Sequence, residues 1–422
     1  SNLTSISDYA FAECKKLTTL EIPESVETIG ERAFYNCSGL TNISFGAGLT
    51  SSKSYAFNNC TSLETVYYNG TLDDWCNITF ADSYANPLFY QGKFYILDEN
   101  GTVEYNGNKY GTITELVLSD DVTTIGQNQF YNFGELTNVV LPKSLTSVGS
   151  NAFTNCIITN MYYNGTISDF LSFTFNYSSA NFMTYAPNFY MLDENGTVEY
   201  NGRKYSPLTE VEIPETVTTI GQYAFYNCQT ITSVKIPASV ESIGNQAFYG
   251  CGSLVTVEIA EQSKLTSIGS YAFYECYKLT SITIPSGVKT IGEKAFYNCS
   301  KLESINIPAT VETIYSNAFY GCRALTKVEF AEGSTLKNIG NSAFAQCTAL
   351  TSIVIPNSVT KMGSAVFFGC NALQTVTLST SITNIYSDTF SGCGLTSIVI
   401  PEGVTSIDDR AFFTCDSMTE IV

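Results

Sequence analysis

"KIPASVESIGNQAFYGC" occupies residues 235–251, and "TIPSGVKTIGEKAFYNC" restates it at residues 283–299. The phenylalanine of this phrase recurs at Phe11, Phe34, Phe57, Phe130, Phe153, Phe225, Phe248, Phe273, Phe296, Phe319, Phe344, Phe367, Phe390 and Phe412. Most steps are 23 residues, two are 25, one is 22, and two longer ones, 73 and 72, mark insertions. A unit this small cannot bury its own apolar face, so successive units must stack and share one core.

Within a period, Val234 and Ile236 alternate with polar neighbours and are β-branched, which reads as a short strand. Pro237 removes a ladder donor and ends it. The Ala247-Phe248 end, after Gly244, Asn245 and Gln246, suits a single helical turn. These elements predict a right-handed solenoid with one parallel sheet of about sixteen short strands and helical turns on the other side.

Thirteen of the fourteen cysteines lie three residues after the repeat phenylalanine, from Cys14 to Cys415, and Phe133 fills the same slot once. A slot that takes Cys or Phe is an apolar core slot. Stacked coils would set these residues about 5 Å apart with parallel Cα–Cβ vectors, which opposes disulfide geometry. Buried free thiols are therefore expected. Cys76, in an insertion, has Leu171 as its counterpart and reads as core as well.

The phrase Leu-Thr-Ser-Ile-x-Ile-Pro-x-x-Val-x-x-Ile-Gly-x-x-Ala-Phe-x-x-Cys, with Leu279, Leu302, Leu325, Leu350, Leu373 and Leu395 heading the strands, resembles the BspA-like branch of the leucine-rich repeats across essentially the whole chain. The resemblance implies a curved, horseshoe-like solenoid of the kind found in secreted or surface-anchored proteins of commensal and mucosal microbes. Binding to host proteins or to other cells is the role usually proposed for these proteins. It brings no catalytic residues.

The chain of 422 residues carries a formal net charge of −19, which opposes nucleic acid and anionic membrane as partners. No run reaches the roughly 18 apolar residues of a membrane helix, and no signal segment is present. One solenoid over residues 1–422 is expected, beginning and ending inside a coil and thus a fragment of a longer protein.

The insertions, at about residues 69–111 and 164–206, are copies at an offset of 95, and Leu97–Gly107 is identical to Leu192–Gly202. Thr71 with Asp74 and Thr166 with Asp169 have the spacing of a capping box, predicting a short helix in each. "FYILDENGTVEY" then reads as a β-hairpin around Asp-Glu-Asn-Gly, with Gly101 and Gly196 supplying positive φ. The pair predicts two arms projecting from the stack.

The chain contains no histidine, which removes Ser-His-Asp and Cys-His nucleophile schemes and the commonest metal ligand. Carboxylate pairs such as Asp73-Asp74 and Asp98-Glu99 read as solvated surface, and the Asp-Glu-Asn-Gly turns lack the twelve-residue calcium loop. The row Thr18, Thr41, Thr114, Thr137, Thr209, Thr232, Thr280, Thr326, Thr351 and Thr396 reads as strand stabilisation. A second outward row, with Glu21, Lys235, Glu258, Asn306 and Glu329, varies in a way compatible with recognition.

Aromatic residues follow the repeat phenylalanine in nine coils, among them Tyr226, Tyr249, Tyr274, Tyr297 and Tyr320, and packing explains that stripe before binding does. The arms gather Tyr67, Tyr90, Tyr95, Tyr105, Tyr162, Tyr185, Tyr190 and Tyr200, which form either a mini-core or a recognition surface. The expected function is a non-enzymatic, extracellular or cell-surface binding scaffold. It recognises a host or neighbouring-cell protein or glycan through these tyrosines, and acts as a monomer without cofactor or metal. A self-assembling surface-layer component is the alternative.

Overall fold

In the computed structural model, which describes residues 2–90 and 92–422, the repeat phenylalanines stack face to face. Phe248, Phe273, Phe296 and Phe319 follow one another with ring centroids 5.2, 5.3 and 5.2 Å apart, each fully buried. That spacing is set by the parallel strands beside them. Ser233–Ile236 pairs with Thr256–Ile259, placing Val234 opposite Val257 and Lys235 opposite Glu258. The solenoid and its parallel pairing are as the repeat spacing predicts.

The plain coils carry two parallel ladders where one was expected. After Pro237 the chain turns and forms a second strand of two residues, Ser242–Ile243, paired with Ser267–Ile268 of the next coil. Seven such strands, from Thr219–Ile220 to Lys361–Met362, make one sheet. The short Ser-Ile or Thr-Ile segment before the glycine supplies one buried residue per coil, too little alternation to be recognised as a strand. Gly244 follows because a Cβ there would lie 2.7 Å from the backbone nitrogen of Gln222 in the coil below.

The Ala-Phe corner is not helical. Gln246 and Gly250, either side of it, have φ of 56° and 70°, and Lys294 and Asn298 one coil pair further on have 52° and 56°. These left-handed residues turn alternate backbone N–H groups along the stack. Gln246, Phe248 and Gly250 donate to the carbonyls of Ser270, Ala272 and Tyr274 at 2.9, 2.8 and 2.7 Å. A helical turn would have kept those donors within its own coil, so inter-coil bonding wins.

The cysteine ladder lies against this corner. The thiol of Cys299 donates to the carbonyl of Phe273 at 3.2 Å, and Cys322 does the same to Phe296 at 3.2 Å. All fourteen cysteines are free, and most are buried; Cys14, in the first coil, is exposed. The threonine row is equally structural: the hydroxyls of Thr41, Thr137, Thr232 and Thr326 donate to carbonyls of the preceding coil at 2.9, 3.0, 3.1 and 3.1 Å.

The chain divides into two compact units, Ser1–Pro207 and Leu208–Val422. The second is plain repeat, whereas the first holds both insertions. Their helices, Leu72–Cys76 and Ile167–Leu171, carry the expected capping boxes at Thr71 and Thr166. Trp75, Cys76 and Phe170 on these helices are buried.

The strands of the insertions differ from the expectation. Lys93–Leu97 does not project; it joins the main ladder, pairing in parallel with Thr65–Tyr68 so that Val66 faces Phe94 and Tyr67 faces Tyr95. Neither does it pair with Val103–Tyr105. Both strands pair instead, antiparallel, with a third, Asn108–Thr112. The tight turn is Asn106-Gly107, with φ of 48° and 81°, and its copy is Asn201-Gly202, with 47° and 69°. Gly101 and Gly196 lie outside the left-handed region. They are glycines because a Cβ would overlap the carbonyl of Tyr110 or Tyr205.

Candidate partner-binding surface

Because the Asn-Gly turn reverses the chain beyond the last ladder strand, the hairpin rolls back over the outward face of its own sheet. Tyr67, which points outward between the inward Val66 and Tyr68, is covered as a result and is only 8% exposed. Its ring lies between Tyr95, with centroids 5.5 Å apart, and Tyr105, 4.0 Å away and within 6° of parallel. Tyr110 closes the cluster at 4.9 Å and donates its hydroxyl to the Asn69 side chain at 2.6 Å. The turn reaches as far as Glu21, whose carboxylate accepts from the Asn106 amide at 3.2 Å.

The copy repeats the arrangement on different ground. Tyr162 lies between Tyr190 at 5.0 Å and Tyr200 at 4.2 Å, with Tyr205 at 5.0 Å donating to Asn164 at 2.7 Å. Val140 completes this cluster, and Asn201 donates to Glu115 at 2.7 Å. Burial raises the phenol of Tyr200 above its ordinary value, and the neighbouring Glu115 carboxylate adds to the effect. Burial likewise raises the phenol of Tyr205, which stays protonated at neutral pH and donates to Asn164.

Six of the eight tyrosines singled out in the sequence therefore meet in two groups of three, packed as small cores whose outer edges reach solvent. Tyr90 and Tyr185 are not among them. They sit at the turn corner, where Tyr90 accepts from the Asn59 backbone N–H at 2.6 Å and Tyr185 donates to the Ser179 carbonyl at 2.7 Å. Tyr110 and Tyr205 were missed, although the pattern Tyr-Asn-Gly-x-x-Tyr, present in both copies, marks a tight hairpin with a tyrosine on each limb.

In the Leu208–Val422 unit the same outward row has no such cover. Glu212, Lys235 and Glu258 stand side by side on paired strands, as do Asn306 with Glu329 and Val354 with Thr377, and all are exposed. Val354 and Val399 are each 63% exposed on this face. Among the described residues there is no group of three or more acidic or cysteine side chains placed to hold a metal ion. No helix among them is long and apolar enough to cross a membrane.

The description "BspA type Leucine rich repeat region (6 copies)" matches residues 1–100, 103–195, 197–326 and 289–419. The chain belongs to the BspA-type leucine-rich repeat family. No curated protein matches it. Among solved structures, this BspA-type chain is similar to a leucine-rich repeat protein from Bacteroides ovatus, with 22% identity over 96% of this chain and 92% of that one and a TM-score of 0.47. A leucine-rich repeat protein from Eubacterium ventriosum shares 24% identity over 73% of this chain and 84% of that one, TM-score 0.47. A leucine rich cell surface protein from Faecalibacterium prausnitzii shares 26% over 55% and 86%, TM-score 0.30.

Proposed function

We propose that this BspA-type chain is a non-enzymatic adhesion scaffold, displayed outside the cell, that binds a protein of a host or a neighbouring cell through the outward face of its main ladder. The observation that carries the reading is the contrast between rows. Packing positions repeat almost without change, whereas the open outward row of the second unit changes from coil to coil: Glu212, Lys235, Glu258, Thr283, Asn306, Glu329, Val354, Thr377, Val399. Nothing in the stacking asks for those identities, and a repeat surface acquires specificity through such positions. Val354 and Val399 are the apolar anchors, with the carboxylates around Lys235 setting orientation.

On the first unit, the hairpins rim the corresponding face with the outer edges of Tyr95, Tyr105, Tyr190 and Tyr200. Tyr67 and Tyr162 hold those edges in place from beneath. The intact chain, tested on an array of purified extracellular proteins, is expected to give hits that a Val354→Arg, Val399→Arg double variant loses while its circular dichroism is unchanged. Hits that survive the double variant would move the site off this face.

A further inference from the structure

At the Ala-Phe corner of the second unit, five tyrosines on consecutive coils form a continuous rail. Tyr226, Tyr249, Tyr274, Tyr297 and Tyr320 stack with centroids 4.8, 4.6, 4.9 and 4.7 Å apart and planes within 10° of parallel. All five are partly exposed. The fold does not demand them: the same slot holds Ala345, Phe368 and Ser391 in the next three coils. We propose that this rail is a second binding site, independent of the outward sheet face, for an extended neutral polysaccharide.

Three features select that ligand. The ring faces are spent on one another, so the rail offers edges and phenol hydroxyls, which suit a hydroxyl-rich chain and exclude the base stacking that single-stranded nucleic acid requires. The hydroxyls repeat once per coil. An extended β-linked pyranose chain advances by a similar step per sugar, so successive sugars meet equivalent phenols. A peptide strand advances about 3.3 Å per residue and falls out of register within a few coils.

Charge is the third feature. In a chain of net charge −19, the surroundings of the rail are close to balanced. Glu275 and Lys294 lie near Tyr274 and Tyr297, and Glu293 stands beside Lys294. Lys294 lies 5.0 Å from the Tyr271 ring centroid and donates to its hydroxyl at 3.1 Å, fixing a neighbouring phenol. Carboxylates and amines interleaved with phenols supply acceptors and donors for sugar hydroxyls without favouring a charged polymer. Desolvation and the Glu275 carboxylate raise the phenol of Tyr274, which keeps it a donor.

The test is native affinity electrophoresis of the intact chain in gels containing a soluble mixed-linkage β-glucan, an arabinoxylan or a galactomannan, with polygalacturonate and hyaluronan as acidic comparators. At least one neutral polymer is expected to retard migration, with no loss in added salt. A Tyr274→Phe, Tyr297→Phe double variant, which keeps the stack and removes two hydroxyls, should weaken that retardation by about tenfold. Val354→Arg should leave it unchanged, which separates this site from the protein-binding face. Retardation by no neutral polymer, retardation equal in the double phenylalanine variant, or retardation by acidic polymers alone that salt abolishes would each overturn the proposal.

Discussion

The ring of Tyr105 lies 4.0 Å from that of Tyr67, centroid to centroid and within 6° of parallel, joining a hairpin to the sheet face it covers. Stacked aromatic pairs contribute about 0.5–1.5 kcal/mol beyond the area they bury. Tyr105→Ala is therefore expected to release the hairpin, and hydrogen exchange across residues 93–112 should rise sharply. The global unfolding midpoint should move little, because the Phe ladder is untouched. Tyr105→Phe should keep full protection. Unchanged exchange in the alanine variant would mean that the backbone pairing alone holds the hairpin down.

That relationship also marks where sequence reading stops. The repeat phenylalanines, the thiol slot, the threonine row and the capping boxes at Thr71 and Thr166 all follow from spacing, and spacing is visible in one dimension. The left-handed corner was hidden because its first slot accepts Gln246, Tyr271, Lys294 and Asn317 alike; only the second slot, with its many Asn and Gly residues, hints at positive φ. The hairpins were misplaced because each insertion contains three Asn-Gly pairs, two of them close together, Asn100-Gly101 and Asn106-Gly107 in the first copy. A local turn signal does not say which strands will pair across it. Which tyrosines meet is decided by that pairing, so the clusters around Tyr67 and Tyr162 were only partly legible.

The core makes a sharper demand. Phe296 is fully buried between Phe273 and Phe319. Phe296→Ala should destabilise the second unit by about 3–5 kcal/mol through lost transfer energy and a cavity. Tyr297→Phe, one residue on and partly exposed, should change stability by less than about 0.5 kcal/mol. Chemical denaturation of both variants measures the difference, and similar midpoints would contradict the burial described.

The thiols predict an alkaline limit. Burial pushes the Cys60 thiol up to about 12 from an ordinary value of 9.0, and Cys276, Cys322 and Cys347 are also raised by burial. Between pH 9 and 12 the unfolded chain has lost protons that the folded chain retains, so stability falls as pH rises through this window and is unaffected below it. Each such thiol contributes a slope of about 1.4 kcal/mol per pH unit. Denaturation midpoints should be flat from pH 6 to 8.5 and drop steeply above pH 9, less steeply in Cys60→Ala. A thiol count on the denatured, unreduced chain should reach fourteen.

The corner yields a prediction of opposite sign to the usual rule for glycine. Ala365 has φ of 56°, in the slot that Asn128, Asn151 and Asn317 occupy with 57°, 58° and 56°. A Cβ in that region costs about 1–2 kcal/mol, and alanine has no side-chain amide to offset it by local hydrogen bonding. Its N–H donates to the Ser387 carbonyl at 2.9 Å, a bond glycine would keep. Ala365→Gly should therefore stabilise the chain by about 0.5–1 kcal/mol, even after the greater freedom of glycine in the unfolded state is counted. Ala345 is the control: it is buried and lies outside the left-handed region, so Ala345→Gly should destabilise by about 1 kcal/mol. Denaturation of the two variants under one set of conditions decides the matter, and destabilisation by both would show that strain at Ala365 does not limit the stability of the corner.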